Sequence, residues 1–407
     1  YITELFIKHD LMRALEESKT KSIRLPGRNI LVEPSYLDVV PFLVKCASAK
    51  ELGFDIEVMN EEVSCLSVSI SPEEGMSIPF VFGGNDYFTP DQELSVWKLL
   101  SKILSDRGIK KVGQNFIFDM SFILRKYGII TRNYECTMIG QGLTYPDFPK
   151  GLDFITSIYT REPYYKDDGK KWFKTGGSYR DFWIYNAKDS LVCQEAWPQI
   201  LKKIDEQGNL DTYDEQRKLI HPLMFMQARG MRIDVEGLRY ASREAENKIT
   251  EKILELGKLQ GCEVAFKVKK DPDVYKVTCR SDGTCILLQK NEFTKFCKQN
   301  SVLNIGSSPQ LAELFYTKLG NKPYLDKGHI TTNDDALKRL VRKGIKEAML
   351  IRDLRKISKL KGTYYDMKLS EDGRLRSAMN PIGTVSGRLA SSQDIFGEGG
   401  NVQNLPT

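Results

Sequence analysis

Hydrophobic and polar positions change period several times along this chain, and the changes outline its elements. Asn29-Ile30-Leu31-Val32 reads as a short strand, and a helix follows from Ser35 to Ala49 with apolar positions at Leu37, Val40, Phe42, Leu43 and Cys46. Pro41 interrupts that helix pattern. Gly53 to Val58 is a strand, Cys65 to Ile70 alternates as a half-buried strand does, and Ser77 to Phe82 is another. Residues 91–106 form a helix, and Lys110 to Gly113 leads into a helix over Phe118 to Tyr127. This is the order of a mixed α/β domain. From about residue 205 long helical periods take over, at Asp211 to Ala228 and at Val235 to Leu259, the latter apolar at Leu238, Ala241, Ala245, Ile249, Ile253 and Leu256. Residues 262–290 break the pattern with β-branched residues and Gly, as a hairpin insertion would. Helices resume at Ser308, read as an N-cap before Pro309, and over Lys346 to Met367. Residues 1–27 are mixed and carry no clear period.

Composition narrows the class. The 407 residues suffice for two or three domains, and 41% hydrophobic content is that of a soluble globular chain. No apolar run reaches the ~20 residues of a membrane-spanning helix. A net charge of +6 permits nucleic-acid binding without requiring it. The eight cysteines form no CxxC pair, which points to a reducing compartment, and three histidines make a His-rich metal site improbable.

The chemistry lies in three short segments. In Phe54-Asp55-Ile56-Glu57 the two acids are two apart on a strand and share a face. In Asn115-Phe116-Ile117-Phe118-Asp119 and Tyr185-Asn186-Ala187-Lys188-Asp189, read as helices, the polar ends are four apart and share a face. Each has a bland rival: a surface acid for Asp55 and Glu57, a cap or turn for Asn115, a solvated helix position for Asp189. Apolar flanks around Asp55 and Asp119 weigh against these rivals, because unpaired acids in apolar surroundings are costly. Hard divalent cations take oxygen ligands from several directions, and two such ions about 4 Å apart can cleave a phosphodiester.

The three segments resemble the Asp-x-Glu, Asn-x3-Asp and Tyr-x3-Asp motifs of the proofreading 3′–5′ exonucleases, in the subclass with tyrosine in the third motif. The resemblance implies a ribonuclease H-like fold. It also implies two Mg²⁺ ions, with Mn²⁺ as a substitute, one held by Asp55, Glu57 and Asp189 and one by Asp55 and Asp119. Tyr185 would orient the attacking water and Asn115 would contact the substrate strand. The family's apolar wedge after the first motif has no clear match at Met59-Asn60-Glu61.

The second half resembles family A DNA polymerases, those like DNA polymerase I. Gln227 to Asp234 is similar to "ME-x-x-G-v-x-v-D", and Asn304 to Leu311 to the thumb motif "N-x-x-S-P-x-Q-L". Leu354 to Tyr364 is similar to the thumb-to-palm helix, Gly383 to Ser392 to "T-x-T-G-R-L-S-S", and Asn401 to Pro406 to "P-N-L-Q-N-I-P". The expected architecture is therefore an α/β ribonuclease H-like exonuclease domain followed by a mainly helical polymerase thumb and the start of the palm. Its segments are an N-terminal extension (1–27), the exonuclease domain (28–205), the helical thumb region (206–372) with its insertion, and the incomplete beginning of the palm (373–407). By the same resemblance, Arg388 would reach the minor groove near the primer terminus, and Asn401, Gln403 and Asn404 would contact template and primer.

Between Lys338 and Lys361 the basic residues include Arg355, Lys356 and Lys359, with only Glu347 and Asp353 opposing them, an imbalance suited to phosphate contacts. The expected partners are DNA, as primer-template and single-stranded 3′ end, and a second polypeptide carrying palm and fingers if the enzyme is split rather than truncated. The palm "D-Y-S-Q-I-E", the fingers helix and "H-D-E" do not occur in these residues. The stretch Asp394 to Gly400 makes the spacer before Asn401 longer than the family's. Cys262, Cys279, Cys285 and Cys297 fit no common zinc spacing. The expected setting is a bacterial or phage-infected cytoplasm, the enzyme phage-like. The competing functions are a stand-alone 3′–5′ RNA exonuclease and a non-catalytic DNA-binding subunit.

Overall fold

The computed structural model describes residues 2–22, 25–268, 271–278 and 283–404. The chain forms two compact units: one runs to Met231 and takes in the segment that begins at Arg376, the other spans Arg232–Leu375.

The first unit opens with a helix, α1 (Ile2–Glu17), in the stretch whose sequence showed no period. Its core is a six-stranded mixed sheet. Strand β1 (Asn29–Leu31) is followed by helix α2 (Tyr36–Cys46), which continues through Pro41. Strands β2 (Glu51–Met59), β3 (Glu62–Ser71) and β4 (Glu74–Pro79) form an antiparallel meander. The β2–β3 turn is Asn60-Glu61, both with positive φ (50° and 64°), as a two-residue hairpin requires. The strand expected over Ser77 to Phe82 instead ends at Pro79, and Val81–Phe82 (β5) pairs with Asn85–Asp86 (β6) in a separate small hairpin.

Helix α3 (Pro90–Ser105) is capped by Thr89. Strand β7 (Lys110–Gly113) leads to α4 (Ile117–Tyr127), and β8 (Tyr134–Cys136) completes the sheet in the order β1-β4-β3-β2-β7-β8. Four helices then follow: α5 (Thr137–Thr144), α6 (Leu152–Tyr159), α7 (Lys166–Thr175) and the 28-residue α8 (Tyr179–Glu206).

Helix α8 lies on the face of the sheet opposite to α2–α4. The alternation at Cys65 to Ile70 suggested one wet face, yet Ser67 and Ser69 are fully buried. The serines line the α8 side, where their small hydroxyls find partners: Ser67 Oγ donates to the Asn186 carbonyl (2.8 Å), Ser77 Oγ to Asn186 Oδ1 (2.9 Å) and Ser69 Oγ to Gln194 Oε1 (2.8 Å). Gly53 on β2 permits this approach, since a Cβ there would stand 2.2 Å from the Ser190 carbonyl oxygen.

The helix expected over Asp211 to Ala228 is two helices, α9 (Leu210–Lys218) and α10 (Ile220–Arg229), broken at Leu219. The segment from Arg376 also packs on this unit. Ala378–Asn380 pairs antiparallel with Ala390–Ser392, and Ile382 occupies the space above Gly142, where a Cβ would be 2.3 Å from it. The long spacer at Asp394 to Gly400 is a folded loop. The Asp394 carboxylate accepts from the Phe396 and Glu398 N–H groups (2.9 Å each) and from Arg125 Nη1 on α4 (2.6 Å). The Phe396 ring stacks on Phe122 of α4 at 5.5 Å and lies under the Arg125 guanidinium at 4.2 Å.

The second unit is built on α11 (Val235–Gln260), capped by Asp234 through the Gly237 N–H. Ile249, Ile253 and Leu256 of α11 share one core with Leu311, with Leu337 and Leu340 of one later helix, and with Ile351 and Leu354 of another. The expected hairpin at 262–290 is a larger structure: Glu263–Val268, Asp271–Thr278 and Cys285–Gln289 form an antiparallel meander that Val302–Asn304 joins in parallel. Helix α12 (Lys290–Gln299) covers it, with Phe293 stacked on Tyr275 at 3.9 Å.

Helix α13 (Ser308–Ala312) is capped by Ser307, whose hydroxyl accepts from the Gln310 N–H, one residue earlier than the sequence pattern indicated. Helix α14 (Asp334–Arg342) precedes α15 (Lys346–Leu360), which passes into a π-helical turn at Lys361–Tyr365 instead of continuing to Met367. Cys262 is buried in the α11 core, Cys285 is exposed and Cys279 lies outside the described residues. Among the described residues these cysteines form no metal-ligand group, and no helix is long and apolar enough to cross a membrane.

Candidate active site

The site forms where the α8 face of the sheet meets α8 itself. Along β2, Leu52, Phe54 and Ile56 turn into the core under α2–α4, so the alternation of the strand directs Asp55 and Glu57 to the opposite side. On α8, Asp189 lies one helical turn beyond Tyr185 and next to Ser190, whose carbonyl rests on Gly53. The same close contact that excludes a side chain at position 53 thus brings Asp189 over the two acids of β2. Oxygen atoms of Asp55, Glu57 and Asp189 lie within 4.8 Å of one another, and this is the only such group of potential metal ligands among the described residues.

Asp119 is fourth. It sits in the first turn of α4, buried, and its Oδ1 accepts the Ile56 N–H at 3.0 Å, tying α4 to the strand between the two acids. Asn115 is not on that helix. It precedes it with φ of 49°, so the shared helical face expected for Asn115 and Asp119 does not exist. The Phe116 ring folds back over Gly113, where a Cβ would meet it at 2.7 Å, and the chain turns from strand to helix through left-handed backbone at Asn115, a conformation asparagine adopts readily.

Sequence reading missed three other residues of the site. Asn186 Nδ2 donates to Asp55 Oδ2 (2.9 Å). Tyr165 donates its hydroxyl to Asp189 Oδ1 (2.6 Å), and Lys166 Nζ reaches both Asp189 Oδ2 and the Tyr185 hydroxyl oxygen at 2.5 Å. Tyr165 and Lys166 come from the start of α7, and nothing in their spacing to the acid motifs marks them. The Gly-Lys-Lys-Trp run after them carries a packing signal: a Cβ on Gly169 would be 2.6 Å from the Tyr185 ring.

Electrostatics follow from this crowding. Burial, and then the charges of Asp189 and Glu57, push the Asp55 carboxyl well above the usual carboxylate range. Glu57 is pushed up to about 8 by burial and then by Asp189, and Asp119 is raised by burial and then by Asp55. Burial works against the Lys166 ammonium, but Asp189 and Tyr185 outweigh it and raise its pKa. Burial also raises the Tyr185 phenol, which stays protonated. Converging carboxylates that resist ionisation, with an ammonium group drawn onto one of them, are the donor set of a hard divalent cation. The residues fit such an ion.

The residues proposed for DNA contact are differently placed. Arg355 Nη1 donates to the Thr332 carbonyl (2.6 Å), whereas Lys356 and Lys359 are exposed and make no ion pair among the described residues. Acids outside the stretch from Lys338 to Lys361 also oppose its basic residues. Lys338 pairs with Asp334 and Asp335, Arg352 with Asp334, and Lys361 with Asp366 and Glu246. Arg388 is exposed. Asn401 Oδ1 accepts from Ser391 Oγ (2.9 Å) and the Gln403 N–H (3.0 Å), and Gln403 Nε2 donates to the Leu389 carbonyl (2.7 Å), so both hold their own segment together. Asn404 lies in a short 3-10 turn.

Residues 39–205 match the family model of the 3′–5′ exonuclease, and residues 286–407 match that of DNA polymerase family A. The chain is 26% identical over 321 residues to DNA polymerase I of Rhizobium leguminosarum, an alignment covering 75% of this chain and 27% of that protein. It is 28% identical over 232 residues to the thermostable DNA polymerase I of Thermus filiformis, covering 54% of this chain and 22% of that protein. The chain therefore spans about a quarter of the length of these curated relatives. In fold it resembles the POL domain of Pol1 from M. smegmatis, solved in complex with DNA primer-template and dNTP, with a TM-score of 0.65 at 18% identity over 93% of this chain and 56% of that one.

Proposed function

We propose that this chain, which belongs to DNA polymerase family A and carries a 3′–5′ exonuclease domain, removes nucleotides from the 3′ ends of DNA by metal-dependent hydrolysis as the proofreading part of a replicative polymerase. The observation that carries this reading is the convergence of Asp55, Glu57 and Asp189, with Asp119 locked behind them through Ile56.

In this reading Asp55, Glu57 and Asp189 would hold one Mg²⁺ and Asp55 with Asp119 a second, Mn²⁺ substituting for either. The ions supply Lewis acidity, lowering the pKa of the attacking water and balancing charge at the scissile phosphate. The remaining work belongs to the chain. Asn186 fixes the Asp55 carboxylate and Tyr165 fixes that of Asp189, so the ligands are set before substrate arrives. Tyr185 stays protonated and orients the water. Asn115, in the left-handed turn that precedes α4, contacts the substrate strand.

DNA is the partner, as primer-template and as single-stranded 3′ end. Lys359 and Arg355 of the helical unit contact phosphates, and Arg388, Asn401, Gln403 and Asn404 contact primer and template. Nucleotide addition, in this proposal, draws on palm and fingers residues outside these 407, from the same gene or from a second polypeptide. The setting is the bacterial or phage-infected cytoplasm where such DNA is copied.

Digestion of a mismatched primer-template and of a single-stranded RNA, each with and without Mg²⁺, tests the reading. Mg²⁺-dependent shortening of the DNA 3′ end is expected. Its absence would overturn the proposal, and equal cutting of RNA would overturn the DNA assignment.

A further inference from the structure

We propose that Lys166 is a positioning residue of this site: it is the counter-ion that Asp189 gives up when a divalent cation binds, and it then serves Tyr185 alone. The inference rests on the nucleolytic reading above and adds a residue that none of the acid motifs contains.

Both oxygens of Asp189 are engaged, Oδ1 by the Tyr165 hydroxyl at 2.6 Å and Oδ2 by Lys166 Nζ at 2.5 Å. The other acids are less committed. Asp55 is bonded through Oδ2 to Asn186, Asp119 through Oδ1 to the Ile56 N–H, and Glu57 has no hydrogen-bond partner among the described residues. Asp189 is therefore the one ligand among the four acids that already carries a cation on one of its oxygens. An ammonium and a dication on the same carboxylate oxygen repel each other at a distance where Coulomb terms are large.

The route of release is short. Lys166 Nζ is also 2.5 Å from the Tyr185 hydroxyl oxygen and stands 4.3 Å from the centre of that ring, so it can leave Asp189 and keep both Tyr185 contacts. Its backbone is held in place meanwhile. Gly169 lets α7 lie against the Tyr185 ring, and Trp172 of α7 stacks on Phe182 of α8 at 4.2 Å. After release, Lys166 still donates to the Tyr185 oxygen. That occupies an acceptor position of the phenol and directs its remaining O–H as a donor into the site, where the attacking water is to be oriented.

The site therefore has its own cation in the metal-free state, and the same side chain becomes the orienting group in the loaded state. Both consequences can be measured on the full chain. In Lys166→Met, Mn²⁺ binding followed by electron paramagnetic resonance without DNA should tighten about tenfold, because no ammonium has to be displaced. The exonuclease kcat should fall about tenfold or more while KM for the DNA changes less than twofold. Gly169→Ala keeps the charge but pushes α7 off Tyr185. It should lower kcat with the same small change in KM, and it serves if Lys166→Met fails to fold.

An unchanged or weakened Mn²⁺ affinity in Lys166→Met, or an unchanged kcat in either variant, overturns the proposal. Wild-type chain that binds no Mn²⁺, or an Asp55→Asn variant that binds it as well as wild type, would instead sink the site reading itself. Wild-type binding that is lost in Asp55→Asn but unaltered in Lys166→Met sinks only the role of Lys166.

Discussion

The acidic centre of the first unit and the basic helices of the second gather charge in opposite ways. In the first, Asp55, Glu57, Asp119 and Asp189 come from three separate segments, repel one another, and are held together by Gly53, Asn186 and the Ile56 N–H. In the second, basic residues follow one another along α14 and α15, several are neutralised by Asp334, Asp335, Asp366 and Glu246, Arg355 is half-buried on the Thr332 carbonyl, and most of the rest face solvent. A site that stores repulsion needs a rigid fold and depends on every member. A solvated face works by number, and each member contributes a similar small share. The difference teaches that close packing, more than charge itself, marks where chemistry is done.

The sharpest break between the two would come from single substitutions. Asp55→Ala or Glu57→Ala should cut Mg²⁺-dependent DNA cleavage by roughly a thousandfold or more while circular dichroism and melting stay near wild type. Survival of substantial cleavage would place the acid centre on a par with the basic face.

The anchor of the C-terminal segment is expected next. Asp394→Ala strands Arg125 against Phe396 and should cost about 3 kcal/mol in urea unfolding, because the Asp394 side chain is only 3% exposed. A loss below about 0.5 kcal/mol would mean the loop contributes no more than an exposed ion pair. Tyr185→Phe removes the hydroxyl that meets Lys166 and should lower kcat by about a hundredfold, with DNA binding retained, as read in single-turnover assays.

The stored repulsion also has a pH signature. Burial and then Asp189 push the Glu57 carboxyl up to about 8 from the ordinary 4.5, and Asp55 and Asp119 are raised as well. Between about 4.5 and about 8 the folded metal-free chain thus keeps a proton on Glu57 that the unfolded chain has lost, so its stability falls as pH rises through that window. Urea melts at a series of pH values check the sign, and added Mg²⁺ should restore stability most at the upper end. The smallest effects belong to the basic face. Lys356→Ala and Lys359→Ala should each weaken DNA binding a few-fold and flatten the salt dependence by about one unit of slope. A loss as large as that at Asp55 would erase the distinction.

Much of the first unit was legible in the residues. The period of two in Gly53 to Glu57 placed both acids on one face, and the period of four from Tyr185 to Asp189 survived because α8 is a long unbroken helix. Asn115 was misplaced because its spacing to Asp119 mimics a helix, while the chain turns there through left-handed backbone, with the Phe116 ring folded over Gly113. The serines of β3 were read as a wet face because alternation reports polarity, and polarity does not tell water from a buried helix partner such as Asn186. The basic run was overcounted because Glu246 lies far from Lys361 in sequence and near it in space.

By itself the sequence determined which residues carry charge, which share a face within one element, and an order of motifs that resembles an exonuclease followed by a polymerase thumb. These are local properties, set by backbone periodicity and side-chain chemistry. Only the tertiary structure decided that Lys166 and Tyr165 belong to the acid centre, that Gly53 is what lets Asp189 reach it, and that the long spacer at Asp394 is an anchor on α4. Each of those depends on two elements meeting at van der Waals distance, a relation between distant segments that no spacing along the chain encodes.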